Sequence, residues 1–259
     1  MSRLTDKAII VTGSTTGIGE SIARRCVVEG ARVLVHGRDR QRGEALVEAL
    51  GDDAALHVDD LADADAPARL VKAALEAFGR IDGVVNNAAL TTRSNLDSTD
   101  AVFFDRMMSV NVRAPMLIVR AAIEQLKKTR GSVLNIGSIN GYCGERNLLA
   151  YSISKGGLMT LSRNLADALG RDGVRVTHFN VGWVLTPNEY DLKIRDGQPE
   201  DWPQRVPVEV APSGGILEPP TIAAAAVYWL SDESRPVSGS VIELEQYPII
   251  GRNPTKEND

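Results

Sequence analysis

The chain has 259 residues, 43% of them apolar and 24% charged, an ordinary globular composition and too apolar for disorder. Its 29 basic and 34 acidic residues leave a formal charge of −5, and aromatics are 5%; with no basic excess and few stacking side chains, this argues against a general nucleic-acid or anionic-membrane binder. The longest apolar run, Ile222 to Leu230, falls far short of the roughly 20 residues that span a bilayer.

In chain order, the first strand is predicted at Ala8–Val11, because its apolar stretch runs straight into Thr-Gly and is too short for a signal peptide. Further buried-strand runs, rich in Val, Ile and Leu without polar alternation, follow at Arg32–His36, Ala55–Val58, Gly83–Asn86, Ser132–Ile136, Arg175–Phe179 and Ser240–Leu244. Helical stripes lie between them. Leu70, Val71, Ala74, Leu75 and Phe78 form one, closed by Gly79 as a C-cap; Leu158, Leu161, Leu165 and Leu169 form another, closed by Gly170. Repeated β-α-β with right-handed crossovers makes the fold class α/β: one domain over residues 1–259, a doubly wound parallel sheet of about seven strands flanked by helices. Residues 186–218, rich in Pro, Gly and charge, are too long for a simple connection and read as a lid or substrate loop. The polar tail from Tyr247 to Asp259 is expected to wrap the surface or fray.

Cys26 and Cys143 lie far apart and outside any metal-ligand spacing, so they read as reduced thiols of a cytoplasmic protein. His36, His57 and His178 stand singly in apolar runs and read as packed or strand-end residues; no metal is expected.

Strand one ends in Thr12-Gly13-Ser14-Thr15-Thr16-Gly17-Ile18-Gly19, and a helical pattern follows. Glycines at a strand-to-helix turn let the backbone bend sharply and approach a ligand, and the new helix points free N–H groups at an anion. A phosphate-cradling turn is therefore predicted there. At the end of strand two, an acidic residue would hold the ribose 2′-OH of NAD, whereas an arginine would pair with the 2′-phosphate of NADP. Gly37 supplies no carboxylate and Arg38 follows it, and a planar guanidinium suits a phosphate dianion. NADP is favoured, with NAD second; Asp39 adds a negative charge nearby.

Tyr151 and Lys155 are four residues apart, hence on one face of the Leu-striped helix. A phenol with pKa near 10 is a poor acid–base catalyst at neutral pH, and a neighbouring ammonium together with an oxidised nicotinamide would lower that value. Ser138 ends the strand run upstream, at the edge of the sheet where ligands bind.

On these motifs the chain resembles the short-chain dehydrogenase/reductase family, in its subtype of about 250 residues, along nearly its whole length. Thr12 to Gly19 matches the family's T-G-x-x-x-G-x-G in full, and Asn86-Asn87-Ala88-Ala89 matches N-N-A-G with alanine last. The resemblance implies a Rossmann fold and a catalytic tetrad of Asn111, Ser138, Tyr151 and Lys155. Tyr151 would be the acid or base, and Lys155 would tune it and hold the nicotinamide ribose. Ser138 would hold the substrate oxygen, and Asn111 would position a relay water at a helix irregularity before Pro115. It further implies cofactor contacts from Thr12, Gly13, Ser14, Thr15, Gly17, Ile18, Gly19, Arg38, Asp60 (to adenine), Asn87, Tyr151, Lys155, Gly182, Val184 and Thr186. Two departures stand out: Val181-Gly182 replaces Pro-Gly, which should loosen the loop holding the cofactor, and Gly239 to Gln246 lacks the Asp-Gly-Gly ending.

The expected activity is interconversion of a carbonyl and a secondary alcohol on a small polar substrate. The alternatives are an NAD-linked polyol or sugar dehydrogenase and a non-catalytic dinucleotide-binding regulator. The resemblance also implies a homotetramer or dimer through helices at about 101–127 and 151–170, whose Phe103, Phe104, Met107, Leu117 and Ile118 are apolar.

Overall fold

Successive side chains of a strand point to opposite faces, and a strand buried on both faces therefore feeds two cores. In the computed structural model, which describes residues 2–250, β1 (Ala8–Val11) does this: Ile9 and Val11 pack into one cluster and Ile10 into the other. The same division holds for β2 (Arg32–Gly37), β4 (Gly83–Asn86), β5 (Ser132–Ile136) and β6 (Arg175–Val181), while β3 (Ala54–Val58) and β7 (Val241–Leu244) close the edges. All seven strands are parallel, in the order β3-β2-β1-β4-β5-β6-β7. The order reverses between β1 and β4, which is where such sheets open a crevice.

Helices cover both faces. α1 (Gly17–Val28), α2 (Arg40–Leu50) and α8 (Pro219–Leu230) pack on one side through Ile22, Leu46 and Ile222. On the other, α3 (Ala66–Phe78), α5 (Ala114–Thr129) and α6 (Leu149–Leu169) contribute Leu70, Ile118 and Leu169. The predicted strands are all present, with β2 and β6 running one and two residues further toward the crevice because Gly37 pairs with Val58 and Val181 with Leu244.

Gly79 caps α3 in the left-handed conformation, φ 73°. Gly170 does not cap α6: its φ of −59° continues the turn into a 3₁₀ segment, Gly170–Asp172, and the left-handed residue is Gly173. Between α4 (Ala101–Met108) and α5 lies one wide π turn, Ser109–Arg113, directly before Pro115.

The 186–218 segment is not an open loop. Thr186 caps α7 (Pro187–Arg195) by accepting the Glu189 N–H, and a 3₁₀ turn spans Trp202–Arg205. Trp202, Ala211 and Ile216 form a small core of their own, with Trp202 stacked on Trp183 at 5.5 Å. An ion pair of 2.6 Å joins Asp196, at the end of α7, to Arg93 after β4. Of the expected tail, 251–259 lie outside the described residues.

Candidate active site

A cleft of about 740 Å³ opens along the C-terminal ends of the strands. Its floor is the turn between β1 and α1. Gly13 and Gly17 have φ of 62° and 60°, which side-chain-bearing residues rarely adopt, and a Cβ on Gly13 would stand 2.8 Å from the Ala88 Cα. At Gly19 a Cβ would run into the Gly13 carbonyl and the Asn87 carboxamide, so Gly19 lets α1 sit hard against the turn. Thr16 caps α1 with no side-chain hydrogen bond. The first N–H groups of the helix therefore remain for an anion, with the positive end of its dipole behind them.

Gly13, Thr15, Gly17, Ile18, Arg38, Asp60, Asn87, Ser138, Tyr151, Lys155, Gly182, Val184 and Thr186 all line this cleft; Thr12, Ser14, Gly19 and Asn111 stand behind its wall. Thr12 Oγ1 accepts the N–H groups of Asn87 (3.0 Å) and Ala88 (3.1 Å), tying β1 to β4. Ser14 Oγ donates to Val11 O at 2.7 Å and accepts the His36 N–H at 3.0 Å. Both hydroxyls thus brace the turn. His36 Nδ1 accepts the Gly13 N–H at 3.3 Å, and burial pushes its pKa down to about 4, which keeps the imidazole neutral.

At the adenosine end, Asp39 is spent as the N-cap of α2, accepting the Arg42 N–H at 3.0 Å. Arg40 pairs with Glu44 at 3.5 Å. Exposed Arg38 makes no hydrogen bond or ion pair among the described residues, and the adjoining Gly37 packs its Cα against Thr15. Asp60 is opposed by desolvation, yet the Ala62 N–H and Arg106 guanidinium hold its carboxyl below the usual range. The cradle, the uncapped helix start and the unpaired guanidinium together fit a dinucleotide.

At the reactive end, Tyr151 lies in the first turn of α6 and lines the cleft beside Ser138. Burial pushes the phenol up to about 12; Ser138 pulls it down and the Glu189 carboxylate pushes it up further. Lys155, 3% exposed, is pushed down to about 8 by burial. Its Nζ donates to Ile136 O at 2.8 Å and stands 5.5 Å from the centroid of the Tyr151 ring. The ammonium thus sits over the ring face and is tied to a carbonyl.

Asn111, in the π turn, is 1% exposed. Its Oδ1 accepts the Leu90 N–H (2.8 Å), and its Nδ2 donates to Leu90 O (3.0 Å) and Ser154 Oγ (2.9 Å). The carboxamide anchors the strand exit that carries the cleft wall.

The loop after β6 is pinned despite lacking proline. Gly182 N–H donates to Leu244 O at 2.9 Å, and Trp183 N–H to Glu245 Oε2 at 2.9 Å. The Glu245 carboxylate fills the space a Cβ on Gly182 would need. Gln246 reaches the returning segment, donating to Gly215 O (2.6 Å) and accepting from Ser213. The loop that lacks the proline is thus held by hydrogen bonds from the end of β7 and from Glu245 and Gln246, where the Asp-Gly-Gly ending is also absent. Glu245 and Gln246 escaped sequence reasoning because their partners are distant in the chain; Trp183 and Lys193 did so because no motif marks their contacts with Glu189.

Parallel strands, a glycine cradle at the reversal point and a phenol–hydroxyl–ammonium group beside it define a dinucleotide-linked α/β oxidoreductase. A family model described as short chain dehydrogenase matches residues 7–196. The NADP-dependent (R)-specific alcohol dehydrogenase of Lentilactobacillus kefiri is 34% identical over 92% of this chain and 94% of its own. The L-rhamnose 1-dehydrogenase (NAD(P)(+)) of Azotobacter vinelandii is 33% identical over 93% and 96%. A solved structure of 3-ketoacyl-(acyl-carrier-protein) reductase from Brucella melitensis, complexed with NADH, superposes with a TM-score of 0.82 at 28% identity, covering 93% of this chain and 97% of that one. The chain belongs to the short-chain dehydrogenase/reductase family and acts on CH–OH or C=O groups with NAD(P). No helix among the described residues is long and apolar enough to cross a membrane, and no group of three His, Cys, Asp or Glu there could hold a metal ion.

Proposed function

We propose that the protein is an NADP-dependent oxidoreductase interconverting a carbonyl and a secondary alcohol on a small polar substrate. The observation that carries this reading is the Tyr151 phenol, beside Ser138 and flanked by Lys155, on the same cleft as the glycine cradle. A nicotinamide held in this cleft would supply the hydride chemistry. Tyr151 donates the proton to the carbonyl oxygen in reduction and removes it from the alcohol in oxidation. Ser138 would hold that oxygen and Lys155 the nicotinamide ribose, while Asn111 keeps the wall in register. Gly13 to Ile18 would hold the diphosphate, Asp60 the adenine, and Gly182 to Thr186 the carboxamide side.

The NADP preference rests on Arg38, whose guanidinium makes no hydrogen bond or ion pair among the described residues, beside a Gly37 that offers no carboxylate to a ribose hydroxyl. Assembly through α4–α5 and α6 draws support from exposed Val102 (78%), Met116 (38%) and Ile153 (48%). Of the apolar residues expected to serve there, Met107 and Ile118 are instead in the core, and Phe103, Phe104 and Leu117 are half-buried. A cytoplasmic setting rests on the unpaired Cys26 and Cys143. The test is a turnover screen of ketones, secondary alcohols and polyols with NADP(H) and NAD(H), read at the reduced-nicotinamide band. Absence of turnover on every substrate with both nucleotides rejects the reading.

A further inference from the structure

Thr186-Pro187-Asn188-Glu189 has the form of a capping box, in which the acidic residue reaches back to the N–H of the capping residue. Only half of it forms. Thr186 Oγ1 accepts the Glu189 N–H at 3.1 Å, but the Thr186 N–H goes to Val184 O at 3.0 Å. The Glu189 carboxylate, released from the cap, turns to the cleft it lines. There its Oε1 accepts Trp183 Nε1 at 2.9 Å and lies 3.9 Å from Lys193 Nζ. Both contacts fall on one oxygen, and Oε2 takes no hydrogen bond among the described residues.

The surroundings narrow the ligand. Arg93 is held by Asp196 at 2.6 Å, and Lys193 is shared between Glu189 and the Trp183 ring at 5.0 Å. Both cations beside Glu189 are thus engaged, and Lys155 is tied to Ile136 O, which disfavours a carboxylate or phosphate on the substrate. Asn140, Asn147 and Asn188 line the same region with neutral donors and acceptors. The carboxylate also stands close enough to Tyr151 for its charge to act on the phenol.

We propose that Glu189 Oε2 accepts a hydrogen bond from a substrate hydroxyl neighbouring the reacting carbon, so that the enzyme selects neutral vicinal hydroxy compounds of the polyol or cyclic-sugar class. The proposal rests on the oxidoreductase reading above. A site built to accept a hydroxyl discriminates strongly against the analogue lacking it, because its polar group is then left desolvated and unpaired.

The probe pair is trans-1,2-cyclohexanediol and cyclohexanol, oxidised with both nucleotides. For the wild type, kcat/KM favours the diol. In Glu189→Leu the diol-to-cyclohexanol ratio falls about tenfold or more, mainly through KM for the diol. In Glu189→Gln the single amide oxygen stays with the Trp183 N–H and the NH2 group stands where Oε2 was, donating to the substrate hydroxyl instead of accepting from it, so the ratio falls by less than in Glu189→Leu while Trp183 keeps its partner. Both substitutions remove a negative charge facing Tyr151, whose other charged or titratable neighbours are Lys155 on α6 and, beyond it, His178 on β6, pushed down to about 4 and neutral. The acidic limb of the oxidation rate, where phenolate is needed, therefore moves to lower pH in both variants. An unchanged ratio in Glu189→Leu, or an unmoved limb in both variants, overturns the proposal and leaves Glu189 as a prop for Trp183. A wild type that turns over cyclohexanol but not the diol overturns it too, with the oxidoreductase reading intact. No turnover of any alcohol or ketone removes both.

Discussion

Tyr151 shows how far its neighbours decide what a side chain can do. Its phenol, pushed up to about 12 by burial, is a proton donor as the polypeptide holds it, and the neighbouring Ser138 hydroxyl works against that burial. A general acid–base group of this kind contributes roughly 10²–10⁴-fold. Tyr151→Phe should therefore lower kcat by about that factor while nucleotide affinity, followed by fluorescence titration, stays within about threefold; turnover within about tenfold of wild type contradicts the assignment. Arg38→Asp removes an unpaired guanidinium and places a carboxylate where a ribose hydroxyl can donate. The ratio of kcat/KM with NADPH to that with NADH should fall by roughly 10-fold or more, the scale of a lost charge-assisted phosphate pair. An unchanged ratio would place the 2′-phosphate contact elsewhere. Tyr151, Lys155 and Ser138 were legible because one helical spacing and one strand end put them on a common edge. The inward turn of Thr12, Ser14 and Asn111 was not, since it depends on Val85, His36 and Leu90, each far along the chain.

Most strands and the α3 cap were readable from apolar runs and Gly79, where local preference and tertiary packing agree. The 186–218 segment was not readable, because its order comes from Trp202 stacking on Trp183 and from Arg93 reaching Asp196. No periodicity announces such contacts. The same holds for the β6–α7 turn, pinned by a carboxylate from the far end of the chain. Glu245→Ala removes an acceptor for the Trp183 N–H and opens the space beside Gly182. A hydrogen bond to a charged group is worth about 1.5–3 kcal/mol, so KM for the dinucleotide should rise roughly tenfold. The affinity for 2′-phospho-AMP, which engages only the adenosine end, should not follow. Equal loss for both would mean general unfolding and not a loosened turn.

The two-sided core also carries titratable passengers. His36 and His178 are 2% and 0% exposed, and burial lowers both from 6.5 to about 4. Between these values the unfolded chain binds protons that the folded one refuses. Stability is therefore fully present above about pH 6.5 and is lost as pH falls toward 4, by on the order of 3 kcal/mol for each histidine. Carboxylates such as Asp59, held down to about 2 chiefly by its hydrogen bond from Arg69, add their loss only in more acid solution. Urea unfolding at pH 7, 5.5 and 4.5 should show this fall, and His178→Gln should flatten it; a free energy constant from pH 6.5 to 4.5 would contradict the buried neutral state. The chain's alternation of apolar runs and helical stripes was sufficient for the parallel sheet, the glycine cradle and the Tyr–Ser–Lys edge, because each depends on spacing within a few neighbouring turns. Which hydroxyls face the ligand, how the loop after β6 is held without proline, and that Glu189 keeps an oxygen open were decided in three dimensions. Those outcomes depend on donors and acceptors that meet only once the sheet has brought remote segments to one rim.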